Sequence, residues 1–196
     1  MGRCDHLKKG VNSLTISDLK PGARIDQIFV GLNPPFVREP RLRIPATNYQ
    51  NKQGNVTRIE DLGYAGGVLV QSFDATVPDD SSSDINITSA PYVEYELDIK
   101  DGDSAIEIRT LPTLRVYEGR DARYAVEVMK STNHEIDKSP SPQVFSIHTG
   151  DFTAEWRWNV LCGYSSRTVK VAEPGAHKVR IYFLDPGIVL QEILVK

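Results

Sequence analysis

Alternation of apolar and charged residues is the feature that most constrains how this chain can fold. Residues 92–99 read YVEYELDI, and residues 105–109 read AIEIR. A repeat of two residues is typical of a β-strand with one face in a core and one face in solvent. The turn sequence Asp101-Gly102-Asp103 separates the two runs. We therefore expect them to form a β-hairpin.

Short apolar runs bounded by turn residues continue along the chain, and none sustains a helical stripe. Many short strands spaced by roughly 8–12 residues are typical of sandwiches and jelly rolls. The sequence therefore predicts an all-β fold, an antiparallel β-sandwich or jelly roll. In the last strand, alternation predicts Ile193 and Val195 in the core, with Leu190 and Leu194 on the opposite face. Further strands are expected at residues 114–117, 124–129, 145–147, 155–161, 167–171, 178–184 and 189–195.

Composition removes several classes of protein. The 196 residues suffice for one all-β domain or two small ones. With 23 Lys and Arg against 26 Asp and Glu, no basic excess points to nucleic acid as a partner. No apolar run approaches the roughly 20 residues that span a bilayer, so no membrane partner is expected. Two cysteines are too few for a disulfide framework or a zinc site. Residues 1–10 are charged, and no signal peptide is expected there.

The N-terminal residues carry a different pattern. Residues 33–40 contain three prolines, which supply no N–H to a sheet, so an extended Pro-rich linker is expected. Residues 12–31 align without gaps on residues 177–196 with six identities, including a Pro-Gly pair. Either two unrelated strand pairs with Pro-Gly turns look alike, or residues 1–32 form a β-hairpin that closes a preceding module. Residues 41–196 are then the sandwich domain.

No catalytic constellation is recognisable in the chain. The four histidines, His6, His134, His148 and His177, form no H-E-x-x-H motif and no close pair. There is no G-x-S-x-G elbow around a serine nucleophile. His177 follows Pro174-Gly175 and is expected to cap that turn or to pack at a sheet edge. No cofactor is expected.

Two groups of acidic residues leave alternatives open. Glu94, Glu96 and Asp98 alternate along one strand and should share a face, which is either a cation-binding or sugar-binding face or an ordinary solvated one. The second group lies in the serine-rich loop of residues 79–84. This loop is either solvated or a site for a structural calcium ion, which takes six to eight oxygen ligands. Its acidic residues, the weak metal candidates, are Asp79, Asp80 and Asp84.

Aromatic residues are candidates for sugar contacts, because their faces pack against the apolar side of sugar rings. Tyr64 lies in the glycine-rich turn of residues 63–67, which should feed a strand, and is expected to be exposed. Trp156 and Trp158 are two apart in a strand-like run and should share a face, either in the core or on a platform. Tyr49 and Tyr117 are further platforms. The residues predicted to bind carbohydrate are Tyr64, Tyr49, Trp158 and Glu94.

Several segments together resemble one family. They are residues 44–49, 59–68, 90–95, 111–113, 174–177 and 185–191. In this order and at these spacings they resemble the C-terminal β-sandwich domain of family-115 glycoside hydrolases, over residues 41–196. Those enzymes remove glucuronic acid or its methyl ether from xylan side chains. The most distinctive part is Asp185-Pro186-Gly187 followed by Val-Leu-Gln-x-Ile.

The resemblance implies a sandwich of the galactose-binding-like, carbohydrate-binding-module type. It implies no enzyme in this chain, because the family's catalytic machinery lies in an upstream barrel. The chain would be an accessory domain that binds or positions polysaccharide. The alternative is a structural module that buttresses a catalytic domain or mediates homodimerisation. The implied partners are a plant polysaccharide or oligosaccharide and the catalytic domain of a parent enzyme, which is expected to be bacterial and periplasmic or secreted.

Overall fold

The computed structural model describes residues 40–63, 67–71, 87–100, 104–116, 121–131 and 141–196. Within them, strands dominate and a single α-helix is present, with one 3-10 turn at Ile87–Ser89. The helix α1 spans Ala154–Cys162. The strands are β1 Leu42–Pro45, β2 Asn51–Gln53, β3 Val56–Ile59, β4 Val68–Gln71, β5 Tyr92–Ile99, β6 Ser104–Thr110, β7 Arg123–Lys130, β8 Gln143–Ser146, β9 Ser165–Val171, β10 Gly175–Phe183 and β11 Val189–Val195.

The strands form two antiparallel sheets that pack face to face. The first sheet has the order β3-β4-β11-β6-β9, with β1 also paired to β11. The second has the order β2-β5-β10-β7-β8. Alternate residues of both sheets meet in one core, which confirms the predicted β-sandwich. The buried core includes Val93, Tyr95, Ile106, Ile108, Val179, Ile181, Phe183 and Ile193.

The expected hairpin of residues 92–99 and 105–109 is wrong. Both runs are strands, but β5 pairs with β2 and β10 in the second sheet, whereas β6 pairs with β9 and β11 in the first. The chain passes from the second sheet to the first between Ile99 and Ser104. Alternation determines which face of a strand is buried, but it does not determine which strand pairs with it.

The chain crosses between the sheets again after β10. Strand β10 lies in the second sheet and β11 in the first. Residues 178–195 are thus two strands of opposite sheets and not a hairpin. The other copy of the repeat, residues 12–31, lies outside the described residues, as do residues 33–39 of the expected linker. The assignment of residues 1–32 to a hairpin stays a prediction.

The last strand contains an irregularity that alternation does not predict. The register of β11 against β6 shifts between Leu190 and Glu192. Leu190 therefore joins Ile193 and Val195 in the core, and its expected position on the opposite face is wrong. Ile193 and Val195 are core residues as predicted. Leu194 is also buried, at 1% exposure, so β11 is covered on both faces.

Residues 155–161, expected as a strand, form most of the helix α1. Trp156, Trp158 and Val160 alternate with polar residues and mimic the period of a strand. The residues that flank them are those of a capped helix, with Thr153 before it and Gly163 after it. The strand expected at residues 114–117 is also wrong in its described part, because residues 111–116 form a loop. No helix in the described ranges is long and apolar enough to cross a bilayer.

Candidate functional site

Three loops meet at one end of the sandwich. Thr110 at the end of β6 lies opposite Ser165 at the start of β9 and opposite Leu190 at the start of β11. The segments that continue from these strand ends are residues 111–116, residues 147–164 with α1, and residues 184–188. We call these three segments the α1 rim. The topology thus brings distant parts of the sequence to one edge.

Side-chain contacts tie the rim loops to one another. Arg115 Nε lies 2.6 Å from Asp151 Oδ2, and Thr113 Oγ1 donates to the Gly187 carbonyl oxygen at 2.6 Å. His148 is buried, and its Nε2 lies 3.5 Å from Asp151 Oδ1. The rim is therefore a connected surface built from all three loops.

Glu155, in the first turn of α1, anchors the helix to the sheet. Its carboxylate accepts hydrogen bonds from Thr149 N at 2.8 Å and from Arg167 Nη2 at 2.8 Å. Partial burial raises the pKa of Glu155, but the hydrogen bonds from Thr149 and Arg167 outweigh it and hold the pKa below its ordinary value. Glu155 is therefore an ionised anchor.

Caps at both ends explain why α1 forms. Thr153 Oγ1 accepts a hydrogen bond from Trp156 N at 3.2 Å, which satisfies one free N–H of the first turn. At the other end Gly163 has φ 76° and its N–H bonds to the Val160 carbonyl oxygen at 3.1 Å. No residue of α1 is fully buried. The helix consequently presents side chains to solvent, Trp158 among them.

The rim carries most of the exposed apolar side chains of the described surface. Of ten large hydrophobic residues that are exposed there, six lie on the rim. Two are aromatic, Phe152 at 60% and Trp158 at 52% exposure. Exposed apolar patches are typical of interaction sites, so the rim is the candidate site. The six are Leu114, Val116, Phe152, Trp158, Val160 and Leu161.

Phe152 is held in an unfavourable backbone conformation. Its φ is 57°, in the left-handed region that costs a bulky residue of order 1–3 kcal/mol. Its ring meets Trp156 edge-on at 5.1 Å between centroids. Such strain concentrates at functional sites. Sequence analysis missed Phe152, whose only signal is an aromatic residue directly after the turn residues Gly150-Asp151.

Polar atoms without partners also concentrate here. Six side-chain N and O atoms of the described residues are buried without a hydrogen-bond partner. Four belong to rim residues. The other two belong to Thr110, opposite Ser165, and to Gln191, whose Nε2 reaches the Gly163 carbonyl oxygen at 3.1 Å. Buried polar groups are normally paired, so these exceptions call for an explanation. The rim atoms are His148 Nδ1, Asp151 Oδ1, Trp156 Nε1 and Asn159 Nδ2.

Of the predicted carbohydrate-binding residues, the rim contains Trp158 alone. The expectation that Trp156 and Trp158 share a strand face is wrong, because both lie on α1. Tyr49 is half-buried and packs against the core beside Tyr95. Burial raises the pKa of Tyr95, and Tyr49 raises it further. The Tyr95 hydroxyl donates to the Ala46 carbonyl oxygen at 2.6 Å.

Glu94 lies on the outer face of the second sheet, away from the rim. It is 4% exposed, and its oxygens accept from Arg180 Nε at 2.7 Å and from Lys178 Nζ at 3.3 Å. Glu96 and Asp98 share its face and are exposed, so this acidic row is part ion-pair network and part solvated surface. As sugar contacts, Glu94 and Tyr49 stay predictions.

The remaining predicted residues lie outside the described ranges. They are Tyr64, Tyr117 and the calcium candidates Asp79, Asp80 and Asp84. The strand β4 begins at Val68, directly after the glycine-rich segment of residues 63–67. Across the described ranges, no group of three or more His, Cys, Asp or Glu residues is placed to hold a metal ion.

Comparison with known proteins places the chain in a family. Residues 42–196 match the family model described as "Glycosyl hydrolase family 115 C-terminal domain". No curated protein sequence matches the chain.

Among solved structures, the domain is similar to part of BtGH115A, a family GH115 4-O-methyl-α-glucuronidase with specificity for decorated arabinogalactans. The TM-score is 0.59 at 20% identity, over 81% of this chain and 18% of that one. It is also similar to the C-terminal CBM6 of LamC, a laminarinase from Zobellia galactanivorans (TM-score 0.46, 14% identity, 79% and 98% covered). A third similar structure is CsCBM6-3 from Clostridium stercorarium in complex with cellobiose. Its TM-score is 0.47 at 13% identity, over 79% of this chain and 92% of that one. The chain spans less than a fifth of the GH115 enzyme it matches, and over residues 42–196 it belongs to the family of glycosyl hydrolase family 115 C-terminal domains.

Proposed function

We propose that this domain is a non-catalytic accessory module that holds polysaccharide on the α1 rim for the catalytic part of a longer glycoside hydrolase. One observation carries the proposal. The exposed aromatic rings of Phe152 and Trp158 stand on the same rim as the partly exposed ion pair of Arg115 and Asp151.

This combination suits a sugar ring. The C–H faces of a pyranose pack on aromatic rings, and its hydroxyls need donors and acceptors nearby. Asp151 and Arg115 supply both kinds of group in a fixed geometry, because their ion pair at 2.6 Å orients them. Phe152 combines the strained backbone with an exposed ring, as a residue retained for contact with a ligand would.

The pairing of the rim carboxylates supports a role other than glycoside hydrolysis. That reaction needs two carboxyl groups flanking the scissile bond, one of them a proton donor with a raised pKa. Asp151 is paired with Arg115, Glu155 with Arg167 and Asp185 with Arg123. The pKa of Glu155 is lowered. Hydrolysis is therefore assigned to another part of the parent enzyme.

Affinity electrophoresis through gels containing polysaccharide tests the proposal. Glucuronoxylan and a decorated arabinogalactan are the two gels of choice, the second because the GH115 relative is described as specific for it. Wild type should be retarded, and Phe152→Ala and Trp158→Ala should migrate as in an empty gel. The control is Val144→Ala, which truncates a side chain of similar exposure (49%) on β8. No retardation of wild type in either gel, or equal retardation of all variants, contradicts the proposal.

A second function is favoured by the other exposed rim residues. Leu114, Val116, Val160 and Leu161 are aliphatic, and aliphatic side chains pack against protein better than against sugar. In this alternative the rim docks on the catalytic part of the parent enzyme. Leu161→Asp would then abolish co-elution of the domain with that part, while wild type would bind no polysaccharide. Retardation by polysaccharide together with unchanged co-elution of Leu161→Asp rules this alternative out.

A further inference from the structure

A second concave site lies at the opposite end of the sandwich. It is a cavity of about 310 Å³ between the inner faces of β7 and β9, closed by the turn between β9 and β10. β9 starts at the α1 rim with Ser165 and reaches this cavity with Val171. We call it the side cavity. Its volume is at the lower end of the roughly 300–1,000 Å³ usual for small-molecule sites.

The floor of the side cavity is apolar. Four valines form it, one pair from each of the two facing strands. Val126, Val169 and Val171 belong to the buried core, and Val128 packs against that core. A ligand therefore meets hydrocarbon from both sheets at the bottom of the cavity.

His177 is the polar group set deepest in the wall. It is 4% exposed and lies directly opposite Lys130 in the register of β10 and β7. Its Nδ1 is 3.0 Å from the Gly175 carbonyl oxygen. Because a carbonyl oxygen can only accept, Nδ1 is the donor in this contact, and Nε2 is the ring nitrogen left to accept a hydrogen bond. In the described part of the chain Nε2 has no hydrogen-bond partner.

The charges at the mouth cancel. Lys130 forms an ion pair with Glu173, and this lysine lowers the pKa of the Glu173 carboxyl. Lys170 also borders the cavity, but its neighbours Val169 and Val171 face the core, so its side chain lies on the other face of β9. Gln143 and Ser141 complete the mouth with an amide and a hydroxyl. The site offers donors and acceptors with no net charge.

We propose that the side cavity binds a single neutral sugar ring, independently of the α1 rim. The C–H face of the ring lies on the four valines, one hydroxyl donates to His177 Nε2, and others bond to Gln143 and the Lys130–Glu173 pair. The small volume limits the occupant to about one ring, such as a chain end or a side-branch sugar.

Titration of the full chain followed by NMR of its methyl groups tests this. The probes are D-xylose and D-galactose, with D-glucuronate as the charged comparison. We expect saturable shifts of the methyl signals of Val126, Val128, Val169 and Val171 with either neutral sugar. His177→Phe should abolish these shifts, and Gln143→Ala, on an exposed edge strand that tolerates truncation, should weaken binding by about threefold or more. Val144→Ala is the matched control, because Val144 follows Gln143 on the same strand and faces the other way.

The outcomes separate this site from the rim. Phe152→Ala should leave the valine shifts unchanged even if it abolishes polysaccharide binding. The inference is overturned if neither neutral sugar shifts the valine methyls, if D-glucuronate binds more tightly than both, or if Gln143→Ala behaves like Val144→Ala. It is equally overturned if the shifts disappear in Phe152→Ala, since the rim would then account for them.

Discussion

Asp185 accepts three hydrogen bonds from Arg123: Oδ2 accepts from the backbone N–H at 3.0 Å and from Nε at 2.8 Å, and Oδ1 accepts from Nη2 at 3.5 Å. These bonds fasten the turn after β10 to the start of β7. Two residues on, the Gly187 carbonyl oxygen accepts from Thr113 in the neighbouring rim loop. The most distinctive motif of the sequence, Asp185-Pro186-Gly187, therefore holds the α1 rim in place.

Replacing Asp185 should destabilise the domain strongly. The Asp185 side chain is 3% exposed, so Asp185→Ala leaves a guanidinium and a backbone N–H without their acceptor. We expect a loss of about 2–4 kcal/mol in the free energy of unfolding, measured by urea denaturation. Asp98→Ala is the control, because Asp98 pairs with Lys100 on the surface at 61% exposure and should cost about 0–1 kcal/mol. Equal costs for the two variants would contradict the role of Asp185.

Substitution of Gly187 by alanine should destabilise the domain more than the same substitution at Gly163. Both have positive φ, 87° and 76°, so alanine strains either backbone by about 1–2 kcal/mol. A Cβ on Gly187 would also lie 2.9 Å from Val116 Cγ2, whereas a Cβ on Gly163 would meet nothing within 4 Å. Thermal unfolding should therefore show the larger loss for Gly187→Ala. Adding Val116→Ala should recover the excess, and a double variant no more stable than Gly187→Ala would show that no clash exists.

Sequence pattern predicted the layers of this fold better than its connections. The alternating runs at residues 92–99 and 105–109 are strands because each buries one face. The order of apolar and polar residues within each run is enough to predict this. Their placement in opposite sheets depends on partners far along the chain, such as β10 and β11. Likewise, the shift at Leu190 arises from pairing with β6, which no local pattern records.

The rim was only partly predictable for a related reason. Trp158 was singled out as an aromatic residue, but its exposure follows from α1, whose apolar residues imitate a strand. The capping residues Thr153 and Gly163 were the signal that could have indicated a helix. The strain at Phe152 and the orphaned atoms of His148 and Asp151 depend on how three loops meet, and they become visible only in the assembled structure.

Ile193 and Leu194 should both be costly to truncate, although they point to opposite faces of β11. Ile193 lies in the core at 0% exposure, and Leu194 is 1% exposed on the outer face. Removing a fully buried Ile or Leu side chain costs about 2–5 kcal/mol. We expect both alanine variants to fall in this range in urea denaturation. Leu42→Ala, on the neighbouring strand β1 with 40% exposure, is the control and should cost less. A cost at Leu194 as small as at Leu42 would mean that the outer face is open.

A network of charges crosses the outer face of the first sheet beside Leu194. Glu192 is fully buried and accepts from Arg43 at 2.7 Å and from Arg109 at 3.0 Å. Arg109 also donates to Glu107 at 2.6 Å, and its guanidinium stacks over the Tyr164 ring at 4.0 Å. The network connects β1, β6 and β11 through ion pairs, which depend on the carboxylates being ionised.

Glu107 makes this network sensitive to acid. Burial raises the pKa of Glu107, but hydrogen bonds from Lys196 and Arg109 outweigh it and hold the pKa below the ordinary 4.5. A carboxyl whose pKa is lowered by folding contributes stability above its unfolded pKa, and that contribution disappears as the pH falls through the folded value. Stability from Glu107 should thus be complete at neutral pH and should decline below about pH 4.5.

Comparing wild type with Glu107→Gln by urea denaturation between neutral pH and about pH 3 measures this contribution. The wild type should be the more stable at neutral pH, because only the charged carboxylate satisfies both cations. The difference should shrink as the pH falls, since protonation makes the wild-type side chain resemble the amide. Glu60→Gln, at a glutamate 71% exposed, is the surface control for the loss of one negative charge. A difference between wild type and Glu107→Gln that stays constant over this range would show that the carboxylate acts through packing, because a charge-dependent contribution must follow its protonation.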